Sequence, residues 1–144
     1  MDDKALGLLG LMRKAGAVQL GEDKALDAVQ TGKVRLLLLS ADASDRARRH
    51  AEAMQNGRRF QLIETHYSRE TLGEALGVGN CAMAAVTELG FANALMKELA
   101  AQQPERYAGA AEETARRLDK ADRRKRETAE RKGSKRNVKR RTEV

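Results

Sequence analysis

The 144-residue sequence has little of what usually builds disulfides, metal sites and aromatic cores. It contains no tryptophan, one proline, one cysteine and two histidines, and aromatic residues make up only 3%. A single cysteine excludes an internal disulfide, and so few cysteines and histidines argue against a structural zinc site. We therefore expect no metal and no cofactor, and a core built mainly from alanine, leucine and valine.

Long apolar stretches are also missing. No run of 18 apolar residues occurs, so the sequence predicts no membrane span. The first residues, Met1-Asp2-Asp3-Lys4, lack the basic start and the apolar stretch of a secretory signal. The predicted compartment is the cytoplasm, in agreement with the low cysteine content.

The sequence offers no set of residues for catalysis. Cys81 would need a neighbouring base to act as a nucleophile, and the sequence places neither His50 nor His66 beside it. Cys81 fits a small buried residue that opens a strand, and His50 fits a solvated helix face. The segment 77–82 matches the dinucleotide motif G-x-G-x-x-A, but it follows a helix pattern and precedes a strand, the reverse of what that site requires. We therefore predict that the chain is not an enzyme.

Positive charge is concentrated at one end of the sequence. Residues 1–110 contain 14 basic and 14 acidic residues, whereas residues 111–144 contain 14 basic and 7 acidic residues. The formal net charge of +7 therefore belongs to the last part of the chain. A neutral domain with a basic arm is typical of proteins that bind nucleic acid, although a merely solubilising tail has the same composition.

Helical and strand patterns alternate through the first hundred residues. Apolar spacing, glycine stops and caps predict helices over residues 3–15, 22–31, 43–56, 69–76 and 89–102, and strands over 17–20, 34–39, 60–65 and 81–87. Asp42 is the expected N-cap of the third helix and Ser68 that of the fourth. This alternation predicts a three-layer α/β/α sandwich with a four-stranded mixed sheet and helices on both faces.

Pro104 marks the predicted boundary between a domain of residues 1–103 and a basic tail of residues 104–144. Acidic residues precede basic residues by four positions at several points of the tail, which supports an exposed helix. We expect residues 108–132 to form a solvated or fraying helix with nothing to pack on the core. Residues 133–144 are expected to be disordered until they meet a partner.

The stretch from Arg13-Lys14 to Lys24 is the best candidate for a binding site. A basic helix end, a short strand and Gly21 lead into a helix that opens with Glu22, Asp23 and Lys24. The free N–H groups and the positive dipole at such a helix start can bind phosphate or the edge of a base. The alternative is that Glu22 and Asp23 only complement the helix dipole.

Several motifs, in order along residues 3 to about 100, resemble one family. They are the runs Leu8–Gly16, Gly21-Glu22-Asp23, Gly32–Ser44 and Thr71–Gly77, followed by the last apolar strand. The sequence is identified as similar to the kink-turn-binding ribosomal protein family (L-seven-Ae), and most of all to its bacterial ribosomal-protein-like members. That resemblance implies the same α/β/α fold and an RNA partner, either ribosomal RNA or another structured RNA.

The resemblance also implies two RNA-contacting segments. In the family, a Gly-x-Asn-Glu-x-x-Lys motif at the start of the second helix reads the sheared G·A pairs of the kink-turn, and an apolar loop before the last strand covers a flipped-out base. By this correspondence the motif glycine is Gly21, and Asp23, Lys24 and Asp27 occupy its Asn, Glu and Lys positions. The loop corresponds to Gly77, Val78, Gly79 and Asn80, with Cys81 at its end.

Two of these positions depart from the family pattern in the sign of their charge. Lys24 replaces a glutamate that would accept hydrogen bonds from guanine, and Asp27 replaces a lysine, so kink-turn affinity is expected to be reduced or absent. One hypothesis is a monomeric, non-catalytic RNA-binding protein associated with the ribosome or with translation, whose basic tail adds phosphate contacts. The other is a protein–protein adaptor that kept the fold and lost kink-turn recognition.

Overall fold

The computed structural model describes the backbone of residues 3–142 and the side chains of residues 3–131. The expected alternation of helices and strands is confirmed, with shifts of a few residues at the ends. The elements are α1 (Lys4–Lys14), β1 (Val18–Leu20), α2 (Glu22–Gln30), β2 (Leu36–Leu39), α3 (Asp45–Gln55), β3 (Gln61–Glu64), α4 (Arg69–Leu76), β4 (Met83–Val86), α5 (Leu89–Gln102) and α6 (Pro104–Thr142).

The four strands form one mixed sheet in the order β1-β4-β2-β3. Strand β4 runs antiparallel to both of its neighbours, β1 and β2, and β2 is parallel to β3. Strands β1, β2 and β3 therefore all point the same way. We call the side where these three strands end, and where β4 begins, the carboxyl end of the sheet, and the opposite side the amino end.

The two faces of the sheet are both covered, as the three-layer prediction requires. Leu36 and Leu38 point into one core cluster with residues of α1, α4, α5 and α6. Leu37 and Leu39 point into the other, with residues of α2 and α3. All four leucines are buried, which explains why β2 is an unbroken apolar run rather than an alternating one.

Local capping explains where two of the helices begin. Ser68 caps α4 as predicted, since its hydroxyl accepts a hydrogen bond from the Thr71 N–H at 3.1 Å. The expected cap of α3 at Asp42 is wrong, because the Ser44 hydroxyl takes that role by accepting from the Ala47 N–H at 3.1 Å. Asp42 instead accepts a hydrogen bond from the Arg69 N–H at 2.8 Å and so ties the start of α4 to the end of β2.

The helix after Pro104 packs on the core, so the expectation that nothing there would do so is wrong. Tyr107 and Thr114 are 1% and 2% exposed. The Tyr107 hydroxyl lies 2.7 Å from His66 Nδ1 and accepts the His66 N–H at 2.9 Å. Further along the helix, Gln61 Nε2 of β3 donates to Thr114 Oγ1 at 2.9 Å. These contacts fix the first three turns of α6 beside β3.

Beyond these turns α6 continues as an exposed helix. The helix predicted for residues 108–132 is confirmed, and two of the expected ion pairs form, between Arg117 and Glu113 and between Arg123 and Asp119. The backbone remains helical through Thr142, so the expected disorder of residues 133–142 is not what the structure shows. The last two residues of that predicted disordered segment lie outside the described residues.

Candidate nucleic-acid interface

Gly21 positions the start of α2 at the carboxyl end of the sheet. Its backbone has φ 88°, a conformation that favours glycine, and its N–H donates to the Met83 carbonyl at 2.9 Å. No side chain caps the helix, so Glu22 and Asp23 occupy its first turn without bonding to its N–H groups. The open N–H groups and the dipole make this helix start suited to an acceptor such as phosphate or a base edge.

The charged side chains of this helix start differ in their environment. Glu22 is half-buried, and its Oε1 pairs with Nδ1 of His50 on α3. His50 is therefore not the purely solvated residue that the sequence suggested. Asp23, Lys24 and Asp27 are exposed. These three side chains remain available to a ligand, whereas Glu22 is already engaged by the neighbouring helix.

The segment of residues 77–80 is a tight, exposed loop between α4 and β4. Gly77 and Gly79 have φ of 75° and 80°, which a residue with a side chain rarely adopts. The N–H groups of Val78 and Gly79 both donate to the Gly73 carbonyl, at 2.9 and 3.1 Å. The side chain of Val78, 44% exposed, is thereby held at the tip of a constrained loop.

Gly73 is what allows the loop to lie so close to α4. A Cβ atom at this position would be 2.1 Å from the backbone nitrogen of Asn80 and 2.4 Å from the carbonyl carbon of Gly79. Turning a side chain cannot relieve a clash with backbone atoms at such distances, so the close packing requires glycine. The loop is therefore pre-organised before any ligand binds.

Cys81 is a buried structural residue, as expected. It is 5% exposed, and its thiol lies 3.1 Å from the Met83 carbonyl, to which it donates. Burial raises the pKa of the Cys81 thiol, which disfavours the reactive thiolate. The segment 77–82 follows α4 and precedes β4, so the rejection of a dinucleotide site is in keeping with the observed order of elements.

The structure brings the two predicted segments together. Because Gly21 bonds to Met83, the start of α2 lies beside the beginning of β4, only three residues after the loop 77–80. We call the group Gly21, Glu22, Asp23, Lys24, Asp27 and residues 77–80 the carboxyl-end surface. Lys14 lies elsewhere, because it is in the last turn of α1, just before the amino end of β1.

Residues that the sequence did not single out also shape this surface. Arg69 is exposed at the start of α4, and its carbonyl accepts the Cys81 N–H at 2.9 Å. Asp42 is held beside it, and the hydrogen bond from the Arg69 N–H lowers the pKa of Asp42. No periodicity or motif links Arg69 to Cys81 or His50 to Glu22, since both contacts depend on the folded topology.

Acidic residues outnumber basic residues around this surface. The strand-connecting segments at the carboxyl end, residues 21–24, 40–46, 64–70 and 77–82, contain six acidic residues and three lysines or arginines. An RNA that docks here would contact the N–H groups of α2 and the loop, but the surrounding charges would not strongly attract its phosphates. Affinity at this surface would then depend on specific contacts more than on net charge.

Two further features of the described residues bear on the site. None of their helices combines the length and the apolar character needed to cross a membrane. Within the same part of the chain, no three histidine, cysteine or acidic residues are grouped so that they would hold a metal ion.

Comparisons with known proteins identify the family that this sequence matches. The model of the ribosomal protein L7Ae/L30e/S12e/Gadd45 family matches residues 3–96. The chain is 33% identical over 92 residues to the "RNA-binding protein YlxQ" of Bacillus subtilis, covering 64% of this chain and 91% of that protein. The match to the family model stops within α5, so α6 lies outside it.

The chain was also found similar to solved structures. A protein of unknown function from Bacillus halodurans superposes with a TM-score of 0.59 and 28% identity, covering 68% of this chain and 98% of that one. The Giardia lamblia 15.5kD RNA binding protein gives a TM-score of 0.48 with 21% identity, covering 69% and 88% of the two chains. With a family match that spans most of its length, this chain belongs to the ribosomal protein L7Ae/L30e/S12e/Gadd45 family.

Proposed function

We propose that this chain is a non-catalytic RNA-binding protein that docks structured, kink-turn-like RNA on the carboxyl-end surface. The observation that carries the proposal is the Gly21–Met83 hydrogen bond of 2.9 Å, which joins the uncapped start of α2 to the constrained loop 77–80. Family membership and the RNA-binding relative from Bacillus subtilis support an RNA partner.

The roles of the individual residues follow from their positions. The first N–H groups of α2 would donate hydrogen bonds to base edges, and the exposed Asp23 carboxylate would accept them from base amino groups. Val78, at the tip of the loop, would cover an unstacked base with its apolar side chain. Lys24 would meet phosphate, whereas Asp27 would repel it.

The remaining parts of the proposal concern partners and location. Ribosomal RNA, or the ribosome itself, is the proposed source of the structured RNA, in keeping with the ribosomal members of the family. We propose that the chain acts in the cytoplasm as a monomer. It needs no cofactor in this role, because docking an RNA requires no chemistry beyond hydrogen bonding, stacking and charge.

A protein–protein adaptor is the second candidate. The excess of acidic residues around the carboxyl-end surface favours it, because acidic surroundings attract a basic protein segment and repel a polyanion. In that case the loop and the start of α2 would contact a protein and show no preference for a kink-turn.

A gel mobility-shift titration of the full chain separates these candidates. The RNAs are a kink-turn and a plain duplex of equal length, each at two salt concentrations. The test variant is Val78→Ser and the control is Leu11→Ser, which also removes a large exposed apolar side chain (55% exposed) but in the groove between α1 and α5.

We expect the unmodified chain to prefer the kink-turn, and Val78→Ser to weaken kink-turn binding about tenfold without changing duplex binding. Leu11→Ser should change neither affinity. Equal affinity of the unmodified chain for the two RNAs would refute docking at the carboxyl-end surface and leave the adaptor as the better candidate.

A further inference from the structure

The amino end of the sheet carries a cluster of exposed cations. The strand-connecting segments there are residues 13–17, 31–35, 56–60 and 87–88, and they contain six lysines or arginines and one acidic residue. All six cationic residues are exposed, and we call them the amino-end basic surface. They are Arg13, Lys14, Lys33, Arg35, Arg58 and Arg59.

The topology gathers these residues from distant parts of the sequence. Arg13 and Lys14 end α1 just before β1, Lys33 and Arg35 precede β2, and the other two precede β3. The Arg35 N–H donates to the Val86 carbonyl at 2.8 Å, which anchors the middle of the surface to the end of β4. The outermost cations precede β1 and β3, the two edge strands, so the surface spans three strand spacings, or about 14 Å.

Most of these cations are free to meet a ligand. Arg58 donates to the Val29 carbonyl at 2.9 Å and so has a structural role. Among the residues whose side chains the structure describes, Lys33, Arg35 and Arg59 have no ion-pair partner. An exposed cation without a partner attracts a polyanion more strongly than one already neutralised.

Helix α6 leads from the carboxyl end to this same surface. Arg106 donates to the Glu64 carbonyl at 2.8 Å, at the carboxyl end of β3. Thr114 accepts a hydrogen bond from Gln61, at the amino end of the same strand. The helix therefore runs antiparallel to β3, and its part after Thr114, through Thr142, projects past the amino end of the sheet, away from the carboxyl-end surface.

The projecting part of α6 has a basic side. With 3.6 residues per turn, Tyr107, Thr114 and Leu118 share the side that faces the domain. Cations at three- and four-residue spacing follow the opposite side from Arg116 to Arg124, over about 12 Å, and Glu127 comes next on that side. This stripe comprises Arg116, Lys120, Arg123 and Arg124, of which Arg116 pairs with Glu113 and Arg123 with Asp119.

We propose that the amino-end basic surface and the stripe on α6 form a second RNA-binding surface, which binds the phosphate backbone of duplex RNA. The proposal rests on the RNA-binding part of the function proposed above and not on kink-turn recognition. Its side chains are lysines and arginines without an aromatic or apolar group among them, so they fit phosphates rather than base edges.

The two surfaces lie at opposite ends of one sheet, so a single chain can hold two RNA segments. The carboxyl-end surface would select a bent, structured segment through specific contacts. The amino-end basic surface would hold a neighbouring duplex without regard to its sequence. Because α6 is anchored by Tyr107 and Thr114, the position of the stripe relative to the sheet is fixed.

Charge neutralisation at matched sites tests the proposal in the full chain. The test variant combines Lys33→Gln, Arg35→Gln and Arg59→Gln. The control combines Lys4→Gln, Arg49→Gln and Lys97→Gln, three exposed cations outside the proposed surface. Affinity for a plain RNA duplex of about 20 base pairs is measured over a range of salt concentrations, and thermal unfolding checks that both variants fold.

The test variant should bind the duplex at least tenfold more weakly at low salt, and its salt dependence should be shallower by about two to three counterions. The control should bind like the unmodified chain. Equal losses in both variants, or no loss in either, would overturn the proposal, and binding of acidic proteins but not duplex RNA by the unmodified chain would do so as well.

The same variants separate this proposal from the first one. Loss of duplex binding in a chain that shows no kink-turn preference supports the second surface and refutes docking at the carboxyl-end surface. If the kink-turn preference survives and the test variant binds the duplex as well as the unmodified chain does, docking at the carboxyl-end surface is supported and the second surface is refuted.

Discussion

The two ends of the sheet carry opposite charge although the same strands reach both. Helices α2, α3 and α4 begin at the carboxyl end, with Glu22, Asp23, Asp45 and Glu70 in their first turns. Acidic residues there complement the positive helix dipoles. At the amino end the chain enters β2 and β3 through segments without an acidic residue. Helix stability thus accounts for part of the negative charge at the carboxyl end.

Helix stability does not account for the size of the excess of positive charge at the amino end. Arg13 and Lys14 lie in the last turn of α1, where cations are favourable for the dipole. Lys33, Arg35 and Arg59 lie beyond the helix ends, where that effect has faded. The comparison therefore points to a ligand as the reason for those cations, and the following predictions test each end separately.

The largest effect is expected for Gly73→Ala, which disrupts the carboxyl end alone. The added Cβ would lie 2.1 Å from the Asn80 nitrogen, so the loop must move. We expect a loss of about 3 kcal/mol or more in the free energy of unfolding, measured by chemical denaturation. Kink-turn preference should fall, while duplex binding of the folded fraction persists.

Gly7→Ala is the matched control for that change. A Cβ at Gly7 meets nothing within 4 Å, and the residue lies inside α1. Alanine there should increase the free energy of unfolding by about 0.5–1 kcal/mol, because it favours helix. Similar destabilisation by both substitutions would show that the close approach of the loop to Gly73 is not what makes the glycine necessary.

The second largest effect is expected for Tyr107→Phe, which loosens the attachment of α6. The change removes the hydroxyl that contacts His66 Nδ1 and accepts the His66 N–H. Leaving those groups without a partner should cost about 2 kcal/mol in the free energy of unfolding. Hydrogen exchange should accelerate in the first turns of α6.

Thr128→Ala serves as the control for the attachment of α6. Thr128 donates only to the Arg124 carbonyl within the exposed part of the same helix. Its loss should leave both the stability and the hydrogen exchange near Tyr107 unchanged. Unchanged exchange in Tyr107→Phe would mean that the apolar packing of the ring, and not its hydroxyl, holds the helix.

A smaller effect is expected for the exchange of charges in Lys24→Glu with Asp27→Lys. Both residues are exposed on α2, and the double change leaves the net charge unaltered. If the carboxyl-end surface meets a kink-turn, affinity should rise about tenfold, since a good base contact contributes about 1–3 kcal/mol. Affinity for a plain duplex should stay the same in the mobility-shift assay.

The corresponding control exchanges charges on another helix, in Lys97→Glu with Glu98→Lys on α5. It should affect neither RNA. No gain in kink-turn affinity from the α2 exchange would argue that this end of the sheet does not read RNA, and would leave only the amino end as an RNA contact.

The smallest effect is a pH dependence that originates at His66. Burial, followed by the charge of Arg106, lowers the pKa of His66 from its ordinary value of 6.5. The unfolded chain therefore takes up a proton more readily, and the stability contribution present above pH 6.5 is lost as the pH falls through 6.5 toward the folded pKa. Denaturation midpoints at about pH 7.5 and 5.5 should show this decrease.

His66→Gln should flatten that part of the pH dependence. The glutamine cannot be protonated, so the difference between the two midpoints should shrink relative to the unmodified chain. An identical pH dependence in the variant would assign the effect to another group and not to the attachment of α6.

Most of the fold could be predicted because its signals are local. The apolar run Leu36–Leu39 and the glycine stop at Gly77 identify a buried strand and a helix end without any knowledge of tertiary structure. The cap of α3 could not be settled in this way, since both Asp42 and Ser44 are good capping residues. Only the contact between Asp42 and Arg69, 27 residues away, decides between them.

The burial of α6 was beyond sequence patterns for a different reason. Tyr107 is a single aromatic residue among small and charged residues, and its partner His66 is 41 residues away. Charge at the ends of the sheet is equally hidden, because the amino-end cations come from three separate connecting segments. Which connecting segments lie together depends on the order and direction of the strands, and the sequence pattern shows neither.

The docked start of α6 also decides where this protein can be shortened. A chain cut at Gln103 would strip the Tyr107 ring from a core in which it is 1% exposed, and would leave the His66 N–H without its acceptor. A cut after Leu118 keeps Tyr107 and Thr114, the buried residues of α6 among the side chains that the structure describes, and removes most of the stripe. Fragments that end there are the ones in which the domain can be studied without its arm.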